Sequence, residues 1–163
     1  MPNNFFSKKV KIIDCTFDIE KSLKERIELI REEAETAVRE GSSCLILSDK
    51  NISNQKASIP SILTVGAVHS HLVKHGLRGY CSLNVESSDA MDTHSFAILI
   101  GAGATTVNPY LAIDSIYQRF EKKLFGKSDF ETCVNKFKKS IDSGLLKIMS
   151  KMGISVISSY RGG

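Results

Sequence analysis

Apolar positions along this chain alternate between short continuous runs and longer stripes of helical spacing. Val10–Cys15 is an apolar, β-branched run and reads as a first strand. Between Glu20 and Glu40 the apolar residues Leu23, Ile27, Ile30, Ala34 and Ala37 recur at helical spacing among charges, and Gly41 provides the stop. Cys44–Ser48 reads as a second strand, short and apolar throughout, as strands of a buried parallel sheet are. Ile59–His75 is the second helix, with Pro60 in its first turn and Gly76 past its end. Cys81–Glu86 is a third strand. Asp89–Ile100 is a third helix with Asp89 as its cap, and Phe96–Ile100, apolar all round, is expected to be deeply buried. Thr105–Asn108 is a fourth strand.

Beyond Pro109 the pattern turns helical. Leu111–Phe125 carries Ile113, Ile116, Phe120 and Leu124 on one face. A capping box over Ser128–Glu131 opens a helix through Lys138, and Ile141–Met152 forms another, stopped by Gly153. Ile154–Ser158 reads as a fifth strand. Five strands alternating with helices predict an α/β fold with a mainly parallel sheet, either doubly wound or a partial, degenerate (β/α) barrel. No helix follows the last apolar run, which leads us to expect a piece of a longer polypeptide.

The 163 residues suffice for one domain with a real core, and 42% hydrophobic with 25% charged residues is an ordinary globular composition. No apolar run approaches the ~20 residues of a membrane span, and the first eleven residues lack the apolar core of a secretory signal. Cys15, Cys44, Cys81 and Cys133 are widely spaced, with no CxxC pair, which suits a reducing, cytoplasmic setting rather than a disulfide framework. The net charge of +4 is uneven: from Arg119 onward ten basic residues face four acidic ones. Solvated helix faces or a docking surface explain this better than nucleic acid, because aromatic stacking residues are few and no binding motif is present.

Candidate chemistry is sparse. His69 and His71 lie two apart in a helix and point to opposite sides; His69 falls on the apolar stripe. His71 and His75, four apart, share a face, yet no carboxylate is near them in sequence, so no metal site is expected. Gly101 and Gly103 precede a strand, where a dinucleotide fingerprint would follow one; close helix–strand packing is the preferred reading. Asp49, Glu86 and Asn108 fall at carboxyl ends of strands, the rim where α/β folds place binding groups. That rim supports an alternative, a stand-alone small-molecule-binding domain or enzyme; helix capping by the same residues is at least as good an account. No serine, cysteine or threonine sits in a nucleophile elbow.

Four stretches add a family resemblance. SSDAMDTHSFAILIGAGATTVNPYLA (Ser87–Ala112), LILSDKNIS (Leu45–Ser53), IPSILTVGAVHSHLVKHGLR (Ile59–Arg78) and GLLKIMSKMGISVISSYRGG (Gly144–Gly163) occur in an order that resembles the central domain of the glutamate synthase large chain. The resemblance implies residues 1–140 as the C-terminal half of the central α/β domain. It implies 141–163 as the start of the flavin region, packed on the same unit. It implies neighbours in the parent chain: an amidotransferase domain that releases ammonia from glutamine, and an FMN-binding barrel with an iron–sulfur cluster. A small electron-supplying subunit or ferredoxin would be a further partner; neither nucleic acid nor membrane is expected. The family's N-terminal cysteine, cluster cysteines and flavin-binding sequence have no counterpart here, so catalytic, cofactor-binding and metal residues are all expected to be none. The implied role is structure and ammonia channelling, with Asn108, Lys151, Met152, Gly153 and Ser155 as the residues expected at an interface or tunnel wall. Three positions depart from the family pattern: Ser70 and Ser95, where histidines are common, and Ala102, where an aromatic is common.

Overall fold

The computed structural model describes residues 9–162. The segment read above for a secretory signal therefore lies almost wholly outside the described residues. Four strands form a parallel sheet: β1 (Lys9–Asp14), β3 (Ser42–Ser48), β5 (Ser82–Glu86) and β6 (Thr106–Asn108), in the order β1-β3-β5-β6. Two short strands, β2 (Thr16–Asp18) and β4 (Lys56–Ser58), pair antiparallel in a separate ribbon. Neither was legible beforehand, because three mostly polar residues carry no periodicity. The helices are α1 (Leu23–Arg39), α2 (Ser61–Lys74), α3 (Thr93–Gly101), α4 (Tyr110–Glu121) and α5 (Phe130–Met152).

The register sorts the sheet's two faces. Ile13, Leu47, Val85 and Val107 are successive cross-strand partners. With Leu45 and Leu83 they point toward α1 and α2 and form the core with Ile30, Ala34, Val65, Val68 and Leu72. Burial of such side chains contributes about 1.5–3 kcal/mol each, which makes this layer the main source of stability. Among the described residues no helix covers the opposite face, and Val10 and Ile12 of edge strand β1 are 52% and 62% exposed there. In a closed barrel that face would be the interior.

Several expectations need correction. Ile154–Ser158 forms no strand; Ile157–Tyr160 is a 3-10 turn whose Tyr160 ring lies 3.6 Å from the Cβ position of Gly101, and Gly162 N–H donates to the Gly101 carbonyl. The segment is packed along α3 instead of extending the sheet, so the parallel sheet has four strands. The two helices read on either side of residue 140 are one, capped by Asp129, whose carboxylate accepts from Thr132 N–H, not by Ser128. Gly153 ends it as expected, in the left-handed conformation. Helix α4 stops at Glu121, and Leu124 is 67% exposed. Within α3, Ala97 and Leu99 are buried but Ile98 is 38% exposed, so the all-apolar segment has one free side.

Candidate functional site

One residue further along each parallel strand from the apolar layer lies a second row, entirely polar: Asp14, Ser48, Glu86 and Asn108, again successive partners across all four strands. Period-two alternation puts this row on the face away from the helices. Ser48 Oγ donates to Glu86 Oε2 at 2.8 Å, Lys50 Nζ donates to Oε1 at 2.9 Å, and Asn108 Nδ2 reaches the same Oε1 at 3.4 Å. The Lys50 contact, helped by Ser48, outweighs burial and holds the Glu86 carboxyl below its usual range. At Asp14 burial works to raise the pKa, but hydrogen bonds from Thr16 and Asn51 prevail and lower it.

Asp49 is 2% exposed. Its Oδ2 accepts from Ser88 N–H at 2.9 Å and from Ser88 Oγ at 2.6 Å, joining the loops after β3 and β5. Oδ1 is buried without a partner at strict hydrogen-bond geometry. Burial first, and the neighbouring Asp49 carboxylate next, push the Tyr110 phenol up to about 12. Lys50 Nζ lies 5.3 Å above the Tyr110 ring. Asp89 does not cap α3; Asp92 does, accepting from Ser95 N–H at 2.8 Å. Asp89 instead accepts from Ser61 N–H and Ser61 Oγ, supplying the cap that Pro60 cannot give α2, and also from Ser87 Oγ.

Sequence reasoning therefore found Asp49, Glu86 and Asn108 and placed them on one rim, as observed. It missed Asp14, Ser48, Ser88 and Tyr110. The signal available was register: once β1, β3, β5 and β6 are aligned by their apolar layers, the next outward-facing residue of each is fixed. Chemically, the rim is self-contained. Both oxygens of Glu86 and Oδ2 of Asp49 are engaged by donors of this chain, which ties the strand ends to one another and to the following loops.

The remaining expected residues stand apart. Gly144 of α5 lies against Thr93 at the start of α3. The following eight residues carry α5 about 12 Å past that point. Lys151 and Met152 are exposed there, Gly153 forms the C-cap and Ser155 is exposed. Among the described residues no hydrogen bond or ion pair joins them to Asn108. Between α3, β6 and α5 runs an apolar groove of about 230 Å³ lined by Phe96, Ile100, Val107, Phe137, Ile141 and Leu145.

Gly103 is no phosphate cradle. A Cβ there would fall 2.3 Å from Nδ1 of His69, so the glycine admits the imidazole. Arg78 holds that ring through Nε–H to Nδ1 at 3.1 Å and also donates to the carbonyls of Cys81 and Gly103. All four cysteines are free thiols, Cys15, Cys81 and Cys133 buried and Cys44 half-buried. The sole group of three ligand-type side chains that converge among the described residues is Glu35, His71 and His75.

The family model for the glutamate synthase central domain matches residues 3–163. The chain belongs to that family. It is 52% identical over 154 residues to the glutamate synthase [NADPH] large chain of Azospirillum brasilense, covering 93% of this chain and 10% of that one. It is 44% identical over 158 residues to the corresponding chain of Bacillus subtilis (94% and 10%). To the ferredoxin-dependent glutamate synthase of Spinacia oleracea it is 42% identical over 169 residues (94% and 10%). The glutamate synthase central domain thus spans about a tenth of these relatives' length. Among solved structures, a DHODH of Eimeria tenella in complex with ferulenol superposes with a TM-score of 0.59 at 16% identity, over 94% of this chain and 37% of that one. The likeness bears on fold alone: the chain has a mainly parallel, four-stranded α/β fold of partial (β/α)-barrel-like form. No helix among the described residues is long and apolar enough to cross a membrane.

Proposed function

We propose that this segment is a non-catalytic spacer of a glutamate synthase, the oxidoreductase that forms glutamate from glutamine and 2-oxoglutarate, and that it helps to wall the ammonia path. Residues 1–140 form the body of the central unit, and residues 141–163 lead toward the flavin region on the same unit. The amidotransferase and FMN-binding domains of a parent chain are its neighbours, with a small electron-supplying subunit or ferredoxin as a further partner and the cytoplasm as the setting. FMN and the iron–sulfur cluster belong to those neighbours. The observation that supports this reading most is the rim. In an α/β fold the strand ends are where reacting groups gather, and here their carboxylates are spent on neighbouring strand ends and loops. Ammonia transfer needs walls that keep bulk water out. The uncovered sheet face and the apolar α3–α5 groove offer surface for such walls. Asn108, Lys151, Met152, Gly153 and Ser155 are the proposed contacts with neighbours.

The test uses a complete glutamate synthase carrying this segment. Changes at Asn108 and Met152 to bulkier or charged residues are expected to leave glutamine hydrolysis intact while glutamate formation falls, so that free ammonia appears in solution. The isolated 163-residue chain is expected to show neither flavin absorbance nor glutaminase activity. Glutamine hydrolysis or stoichiometric FMN in that preparation would overturn the spacer reading.

A further inference from the structure

The sequence offers His71 and His75 one helical turn apart, with no acidic residue nearby in the chain. The fold supplies one from 36 residues upstream. Helix α1 packs against α2, and Glu35 on α1 directs Oε2 at both imidazoles: His71 Nε2 is 2.7 Å away and His75 Nε2 is 3.8 Å away. One ligand-type atom from each of the three residues lies within 4.8 Å of the other two.

We propose that Glu35, His71 and His75 bind a divalent first-row transition ion of the zinc class, tying α1 to α2. Three features of the geometry support this. Two histidines at i and i+4 present their rings on one side of a helix, as in helical zinc sites. A carboxylate oxygen completes an N₂O set suited to zinc, copper or nickel. A tetrahedral ion with bonds of about 2.0–2.1 Å sets its ligand atoms roughly 3.4 Å apart. The present separations of 2.7 and 3.8 Å bracket that value, so small side-chain rotations suffice.

The outer partners are also in place. His75 Nδ1 contacts the His71 carbonyl at 2.8 Å, which puts its proton on Nδ1 and leaves the Nε2 lone pair toward Glu35. Arg39 donates through Nε at 2.8 Å and Nη2 at 2.7 Å to Glu35 Oε1, which orients the carboxylate and leaves Oε2 for the metal. Side-chain exposures of 19% for His71, 33% for His75 and 22% for Glu35 put the cluster at the surface, with water completing the shell. It lies in no deep pocket, so the ion's role is to brace two helices rather than to catalyse. The proposal does not depend on the spacer reading above.

The test is titration of the purified, metal-free chain with Zn²⁺ against a chromogenic chelator, and separately with Co²⁺ followed by absorption. The expected result is one ion per chain in the micromolar range, with a Zn²⁺-dependent rise in Tm and cobalt bands free of thiolate charge transfer. His71→Ala, His75→Ala and Glu35→Gln should each weaken binding at least about tenfold and remove the rise in Tm, and Arg39→Ala should weaken it about tenfold. His94→Ala and Cys44→Ser should change nothing. Circular dichroism establishes that each variant is folded. Unchanged affinity in the His71 or His75 variant, thiolate bands from cobalt, or no binding by the folded parent would each overturn the proposal.

Discussion

A Cβ on Gly103 would overlap the ring of His69, with Nδ1 only 2.3 Å away. Gly103 also has φ +120°, a conformation other residues adopt only under strain. Gly103→Ala is therefore expected to destabilise the fold by roughly 2–5 kcal/mol, combining overpacking with backbone strain. Urea unfolding measures it. In a His69→Ala background the steric share should vanish and leave only the smaller backbone share, so a double-mutant cycle should show strong coupling. Independent, additive effects would refute the contact.

Gly144 permits a second close approach, where a Cβ would fall 2.5 Å from Thr93 Cγ2. Alanine in a helix interior ordinarily stabilises by about 1 kcal/mol over glycine. Gly144→Ala is expected to do the opposite, lowering stability by about 1–2 kcal/mol, because α5 cannot sit as near to α3. Pairing it with Thr93→Ala should restore stability to at least the parent value. Thermal unfolding of the two single variants and the double one decides this.

Burial first, and the positive charges of Arg78 and Arg161 next, lower the His69 pKa from 6.5. The folded state thus resists protonation more than the unfolded chain does. The stabilisation is fully present above about pH 6.5 and is lost as pH falls from there through the folded-state value. The lowered carboxylates Asp14 and Glu86 act in a separate window, below their ordinary values of 3.8 and 4.5. Unfolding free energy should consequently fall between pH 7.5 and 5.5, and His69→Asn should flatten that slope. An unchanged slope in the variant would assign it to other groups.

Asp49 accepts two hydrogen bonds from Ser88 while almost wholly buried. Asp49→Ala leaves the Ser88 N–H without its partner and should cost about 1–3 kcal/mol, more than Asp49→Asn, which keeps an acceptor. Removing the negative charge should also bring Tyr110 down from about 12 toward the ordinary phenol value, with burial retaining part of the shift. Ultraviolet titration of phenolate, compared with a Tyr110→Phe control, follows it.

Legibility in the sequence tracked the range of the interactions involved. The strands of the parallel sheet and the starts of α1 and α2 were readable within a few residues, because apolar runs and caps are local signals. The split of α5 at residue 140 failed because Ser140 and Gly144 look like a break, yet contacts such as Phe96 with Phe137, 6.4 Å apart between ring centres, hold the helix through. The Ile154–Ser158 run has the composition of a strand, but the segment packs on α3 through Tyr160 and Gly162 at Gly101 instead. The rim was half visible: Asp49, Glu86 and Asn108 announce themselves as polar residues ending apolar runs, whereas Ser48 and Tyr110 matter only through their partners. The Glu35–His71 contact could not be read at all, since nothing local encodes the docking of α1 on α2.

The parallel strands are added in chain order, each beside the one before. Every strand after β1 therefore meets a neighbour already synthesised, and none must be inserted between two that are paired. Such a segment can be assembled progressively as it leaves the ribosome, one strand–helix unit upon the next, with no stage at which a nascent edge waits for a distant sequence. For a chain that spans about a tenth of the length of its relatives, vectorial growth of this kind shortens the time that its apolar layer stands open to wrong partners.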